Sequence, residues 1–341
     1  MLKHLSLQTK PEMGAKMMHS TISVHRLIDN PIIHSGLDAS IGNNIQGPSL
    51  IKVPDWVQGA LGKYYLYFAD HKGAYIRLAY ADSLIGPWKI YQPGSLQLEN
   101  SHFLTEPPEI SSEQLAKIEA NRLTAGIKLQ HSIKEEITTP HIASPDVHVD
   151  KKNQRILMYF HGLEGLAHQV TRLAVSSDGI HFEAQPDIIG RTYFRAFNWQ
   201  GFTYGLAMPG QFYRSRNPEG PFEKGPLLFN KQMRHAAVML QGKILNVFWT
   251  EVGDAPEHIK LSKIDLSNKW SLWSENEPIE ILRPERPWEG AEAPLTPSVR
   301  SVAYGTVNQL RDPAIFIEGD ETFLLYAVAG ESGIAIAQLD P

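Results

Sequence analysis

The chain has no cysteine in 341 residues. Disulfides, thiolate metal centres and thiol nucleophiles are therefore excluded. No apolar run reaches the roughly 18 residues that read as a membrane-spanning helix. The opening MLKHLSLQTKPEMGAKMMHS lacks the apolar core of a secretory signal, so the expectation is a soluble, cytoplasmic protein. Positive charge is in deficit: 32 Lys and Arg face 37 Asp and Glu, a formal net charge of −5. That balance argues against nucleic acid or an anionic membrane as a partner. Neither G-x-x-x-x-G-K-[ST] nor G-x-G-x-x-G occurs, so nucleotide-phosphate chemistry lacks support, and there is no G-x-S-x-G elbow.

What the chain does have is a repeat. Hydrophobic residues make up 42% and charged residues 20%, values that allow a sizeable core. One short pattern opens five units: GPSLIKV from Gly47, SPDVHVD from Ser144, RAFNWQG from Arg195, HAAVMLQG from His235 and DPAIFIEG from Asp312. Second apolar runs follow after tight turns, among them YYLYFAD, RILMYFHG, ILNVFWTE and TFLLYAVAG. Each run is short, rich in aromatic and β-branched residues and bounded by turn formers, which reads as a strand. Third and fourth strands are joined by turns that precede an aromatic: ADSLIGPW at 81–88, SSDGIHF at 176–182, RNPEGPF at 216–222 and DLSNKW at 265–270.

Five units of this kind predict an all-β, five-bladed β-propeller, a single domain over 1–341, with blades opening near residues 45, 142, 193, 233 and 310. The last unit ends after GIAIAQL without a fourth strand, and ISVHRLI at 22–28 is the candidate closing strand. A short helical insertion is expected within 101–140, with Ser111 and Gln114 spaced as a capping box. The Pro-rich stretch 275–310 reads as a long connector on the functional face.

In such a ring the start of each first strand, the end of each second strand and the inter-blade connectors share one face. Polar residues with that address are the functional candidates. They are Asp146, Arg195, Arg234, His235, Arg311 and Asp312 from strand starts, and Asp70, His71, His161, Glu251 and Glu331 from strand ends. His141 and Trp288 come from connectors. Charge gathered near an axis is costly unless paired or used.

These features resemble the five-bladed β-propeller glycoside hydrolases, the grouping of families 43, 62, 32, 68, 117 and 130, and are most similar to family 43 and to uncharacterised bacterial proteins related to it. The resemblance covers roughly residues 41–341 and rests on the x-D-P-x-[IVL] opening, the Y-Y-L-Y second strand and the S-x-x-x-G-P-W turn. It implies a carbohydrate substrate, glycosidase activity and no required cofactor. It also implies an Asp base at the first opening, a pKa-tuning Asp at the second and a Glu acid in the third blade. This chain has Gly47 and Ser144 at the first two positions and Arg195, with no Glu, at the third opening.

Asp312 alone keeps the DP context, which makes it the candidate base, with Glu251, Glu331 or His235 as the acid. The substrate-binding candidates are Asp70, His71, His141, Asp146, His161, Arg195, Arg234, Arg311 and Trp288. The arginines point to an anionic sugar, uronic or sulfated, or else neutralise the carboxylates. Asp146 and His148 share a strand face, so Ca²⁺ or another ion on the axis is a further candidate. Two alternatives to hydrolysis stay open: a non-catalytic carbohydrate-binding propeller, and a glycoside phosphorylase.

Overall fold

The computed structural model describes residues 22–126 and 129–340. Its strands form five antiparallel sheets arranged as five blades. Blade 1 comprises Gln46–Lys52, Tyr64–Ala69, Tyr75–Ala81 and Lys89–Gln97. Blade 2 comprises Ile142–Asp150, Arg155–Gly165, His168–Ser176 and the two-residue Glu183–Ala184. Blade 3 runs Arg195–Trp199, Phe202–Ala207, Gln211–Ser215 and Glu223–Leu227, and blade 4 Met233–Gln241, Ile244–Glu251, Ile259–Asp265 and Ile279–Leu282. Blade 5 is Arg311–Glu318, Glu321–Ala327 and Gly333–Asp340, with Ser23–Arg26 as its outermost strand. The expected five-bladed propeller and its closing strand are both present.

The apolar pattern shows why the blades stack. Tyr64–Ala69 is buried at every position, so it has no solvent face. Side chains alternate along a strand. Tyr65, Tyr67 and Ala69 pack into the seam with blade 2, while Tyr64, Leu66 and Phe68 pack into the seam with blade 5. Blade 5 does likewise: Phe323 and Leu325 face blade 1, Leu324 and Tyr326 face blade 4. The core is thus divided among the five blade interfaces, and each large side chain buried there contributes about 1.5–3 kcal/mol.

The inner strands carry the feature that positions the site. In blades 1, 2, 4 and 5 the pairing of first and second strands slips just after the strand begins, between Gln46 and Ser49, Ala143 and Asp146, Met233 and Ala236, and Arg311 and Ala314. A bulge of this kind re-aims the side chain it contains. In three blades the bulged residue is left-handed and precedes a proline: Gly47 at φ 65°, Ser144 at 50° and Asp312 at 47°. Ser144 and Asp312 adopt a conformation that side chains other than glycine's seldom take, and such strain persists where the surroundings fix it.

Two sequence expectations are corrected. The stretch 275–310 is not all connector, because Ile279–Leu282 is the fourth strand of blade 4 and Trp270–Leu272 upstream forms a 3₁₀ turn. The insertion between blades 1 and 2 holds two helices, Ser112–Thr124 and Ile133–Thr138. The first has the expected Ser111/Gln114 capping box, and none of its residues is buried.

Candidate active site

The face where the inner strands begin (the start face) gathers a buried polar cluster. Asp312, Arg311 and Glu331 come from blade 5, Arg234 and His235 from blade 4, Asn44 from the loop before blade 1 and His71 from the loop between its second and third strands. Glu331 accepts from Arg311 Nη1 at 2.7 Å and Asn44 Nδ2 at 2.8 Å, and lies 3.2 Å from His71 Nδ1. Glu257, fully buried, lies 3.3 Å from both Arg234 Nη1 and Arg311 Nε. Arginine–carboxylate pairing of this density makes the burial of so many charges tolerable.

Asp312 stands apart from that pairing. It is fully buried, and neither carboxyl oxygen has a hydrogen-bond partner. Oδ1 lies 3.1 Å from His235 Nδ1. The backbone N–H of Asp312 points at the same nitrogen, 3.3 Å away, which makes Nδ1 the acceptor. A proton on Asp312 would relieve the apposition of two acceptors at that separation. The electrostatics agree: burial, aided by the charge of Glu331, pushes Asp312 up to about 8 against the pull of three arginines. Burial and the neighbouring arginines hold His235 well below the usual histidine range, so the pair is neutral. Glu331 goes the other way. Burial works to raise it, but His71 and Arg311 outweigh that and hold it near 2.

Aromatic rings continue inward from His235. Tyr193 packs, tilted, between His235 and His161 with centroids 4.5 Å from each, and His141 meets His161 edge-on at 6.1 Å. Burial drives His161 well below the ordinary range and His141 down to about 3. Across the axis the Ser144 hydroxyl donates to Gln46 Oε1 at 3.3 Å. A Cβ on Gly47 would lie 2.9 Å from the Ser144 Cα. A carboxylate therefore has no room at the first opening.

The mouth above this cluster is covered. Arg234 and Arg311 donate to the carbonyl of Ser301, and the Ser301 hydroxyl donates to Glu136 in the second helix. Tyr304 reaches Gln130 and Glu135. The two long insertions thus meet over the start face.

The sequence candidates divide. Asp312, His235, Glu331, His71, Arg234 and Arg311 come together, with His161 and His141 adjoining. Of the two carboxyls, Asp312, the expected base, is pushed up by burial, and Glu331, an expected acid, is held down by His71 and Arg311. Glu251 is taken up by Lys260 and Asn230. Asp70 is partly exposed beside Arg77. Asp146 and Arg195 line the channel on the far side of the cluster. Trp288 packs against the apolar seam of blades 4 and 5 instead of facing the mouth.

The cations are largely committed: Arg77 lies near Asp70 at 3.5 Å and Arg172 bonds Glu164 at 2.6 Å, so neutralisation accounts for them. Asp146 bonds His148 at 2.7 Å with Arg195 3.5 Å away. Among the described residues no three His, Asp or Glu side chains converge as metal ligands.

Glu257, Tyr193, Gln309 and Asn44 were missed. Tyr193 and Gln309 lie on inter-blade connectors, an address already recognised as functional. Glu257 lies in the loop between second and third strands, which returns to the same face.

No family model matches the chain. The uncharacterized protein R118 of Acanthamoeba polyphaga mimivirus is 34% identical over 322 residues, spanning 87% of this chain and 83% of the viral protein. Among solved structures, a putative glycoside hydrolase from Parabacteroides distasonis aligns with a TM-score of 0.56 at 12% identity, covering 93% of this chain and 96% of its own. The GH43_1 enzyme from Xanthomonas citri complexed with xylotriose aligns at 0.51 and 10% identity, covering 88% and 87%. The fold is the five-bladed propeller of family-43 glycoside hydrolases, and the chain belongs to the family of mimivirus protein R118.

Proposed function

We propose that the protein hydrolyses a glycoside at the start-face end of its axis, with Asp312 giving its proton to the leaving oxygen. One observation carries this reading: two buried carboxyls in a single cluster are driven to opposite protonation states, Asp312 to about 8 and Glu331 to about 2. Divergent carboxyls of this kind mark acid and counter-charge in glycosidases. Ionised Glu331 would stabilise the positive charge that develops on the sugar ring. The likeness to the Xanthomonas citri enzyme, whose structure holds xylotriose, supports a carbohydrate as substrate. With the arginines paired, a neutral sugar fits better than an anionic one.

The test is a screen of neutral and anionic oligosaccharides, with and without phosphate, followed by Asp312→Asn on whichever is cleaved. Loss of a positioned acid should cut turnover about 10²–10⁴-fold and leave binding largely intact. Near-wild-type turnover by that variant would end the assignment. A second reading, carbohydrate binding without turnover, is favoured by the covered mouth and by the ion pairing of Glu331 and Glu257. It gains if the wild type binds sugars and cleaves none.

A further inference from the structure

Beyond the Asp312 cluster, toward the turns that join first and second strands, the axis opens into a cavity of about 870 Å³. Its inner end lies where the inner strands have just passed their bulges, at Asp146 and Arg195. Its outer end lies at the turn face, at Trp56, Lys151 and Gly319. None of Asp312, His235, Tyr193 or Glu331 lines it, so the two ends of the axis are separate sites. The volume falls in the range of about 300–1,000 Å³ typical of small-molecule pockets.

The cavity is built for hydrogen bonding. Arg195 is 3% exposed; its Nε donates to the Ala236 carbonyl at 2.9 Å and its Nη1 to that of Pro145 at 2.7 Å. Its Nη2 is buried and has no partner. Trp56 Nε1 is likewise buried and unpartnered. A buried donor without an acceptor is costly, and here one stands unfilled at each end of the cavity. Beside Arg195, Asp146 accepts from His148 and from the Ala196 N–H through Oδ2. Its Oδ1 keeps lone pairs free 3.5 Å from Arg195 Nη1. One free donor and one free acceptor therefore stand side by side at the inner end, a pair that a hydroxyl can bridge.

Charge narrows the ligand class. Arg195 is offset by Asp146, and Lys52 at the outer end bonds Glu318 at 2.7 Å. Arg195 and His148 share Asp146 at the inner end, so no isolated cation is left deep in the cavity to favour an anion. The walls between the ends are apolar, with Ile51, Val149, Met239 and Phe316 among them. We propose that this turn-face channel is a second ligand site that takes a short neutral sugar end-on. Its terminal hydroxyls lie between Arg195 and Asp146, and a ring lies against Trp56. The site is independent of turnover at Asp312.

Titration calorimetry with D-xylose, xylotriose and cellotriose, each to about 10 mM to reach millimolar affinities, tests the assignment. Trp56→Ala removes the ring platform from a turn outside every strand, and an unchanged melting temperature shows that the ring of blades is intact. Expected is saturable binding by the wild type, weakened about tenfold or more in Trp56→Ala. Equal binding by Trp56→Ala and wild type overturns the proposal, and so does no binding of any of the three sugars.

Discussion

Asp312 and Glu331 are both buried carboxyls, and the difference between them is what each faces. Glu331 meets an arginine, an amide and a histidine; Asp312 meets an imidazole nitrogen already turned acceptor by its own backbone N–H. Their pKa values predict opposite slopes of stability with pH. Asp312, raised to about 8 from an unfolded value of about 3.9, holds its proton in the folded state while the unfolded state has lost it. Its contribution is therefore fully present below about 3.9 and is lost as pH rises toward 8. Glu331, lowered to about 2, contributes above about 4.3 and loses that contribution as pH falls. Asp312→Asn should thus gain on wild type steadily between pH 4 and pH 8, read as the gap in melting temperature at each pH. A gap that stays constant across that range would show that Asp312 is not protonated in the fold. The sequence pointed to Asp312 through its DP context but assigned it the ionised state, because Arg311 is visible in the sequence and the acceptor role of His235 is not.

Elements were legible where local chemistry decides them. The capping box at Ser111 and Gln114 is a local signal, and the helix it starts is present. Strands such as Tyr64–Ala69 were legible because aromatic runs buried on both faces have few other uses. The second helix and the late fourth strand of blade 4 were not, since Ile133–Thr138 spans six residues and Ile279–Leu282 four within Pro- and Glu-rich sequence. Ser112–Thr124 buries no side chain, so its cap matters only to the helix itself. Ser111→Ala should cost that helix about 1 kcal/mol. Hydrogen exchange should then speed up across 112–124 while the global melting temperature stays put. A matching fall in global stability would show that the helix is part of the cooperative core. At the blade openings, Gly47→Ala should be disruptive despite its small size, because the left-handed φ and the Ser144 backbone 2.9 Å away both oppose a methyl group. Circular dichroism and urea unfolding of that variant would register the loss, and wild-type stability would refute the close approach.

Over the whole molecule the ring closes through a strand from the far end of the sequence. Ser23–Arg26 pairs antiparallel with residues 337–340 of the last strand, and without it that end would present a bare edge, since Ile33–His34 covers only Gly333 and Ile334. The missing fourth strand was legible as an absence in the last repeat; the side chain that locks the clasp was not. Arg26 grips Glu289 with Nε to Oε1 at 2.8 Å and Nη2 to Oε2 at 3.0 Å. Glu289 is fully buried and also accepts from the Tyr326 hydroxyl and from the N–H groups of Glu285 and Arg286. Breaking such a pair from one side leaves a buried charge uncompensated, at a cost of about 3–5 kcal/mol. Arg26→Ala should therefore lower the unfolding free energy by about that much, and adding Glu289→Gln should recover part of it by removing the stranded charge. Urea unfolding of the wild type, the single variant and the pair measures both effects. If Arg26→Ala unfolds at the wild-type midpoint, the ion pair does not hold the ring shut and closure rests on the strand's backbone pairing alone.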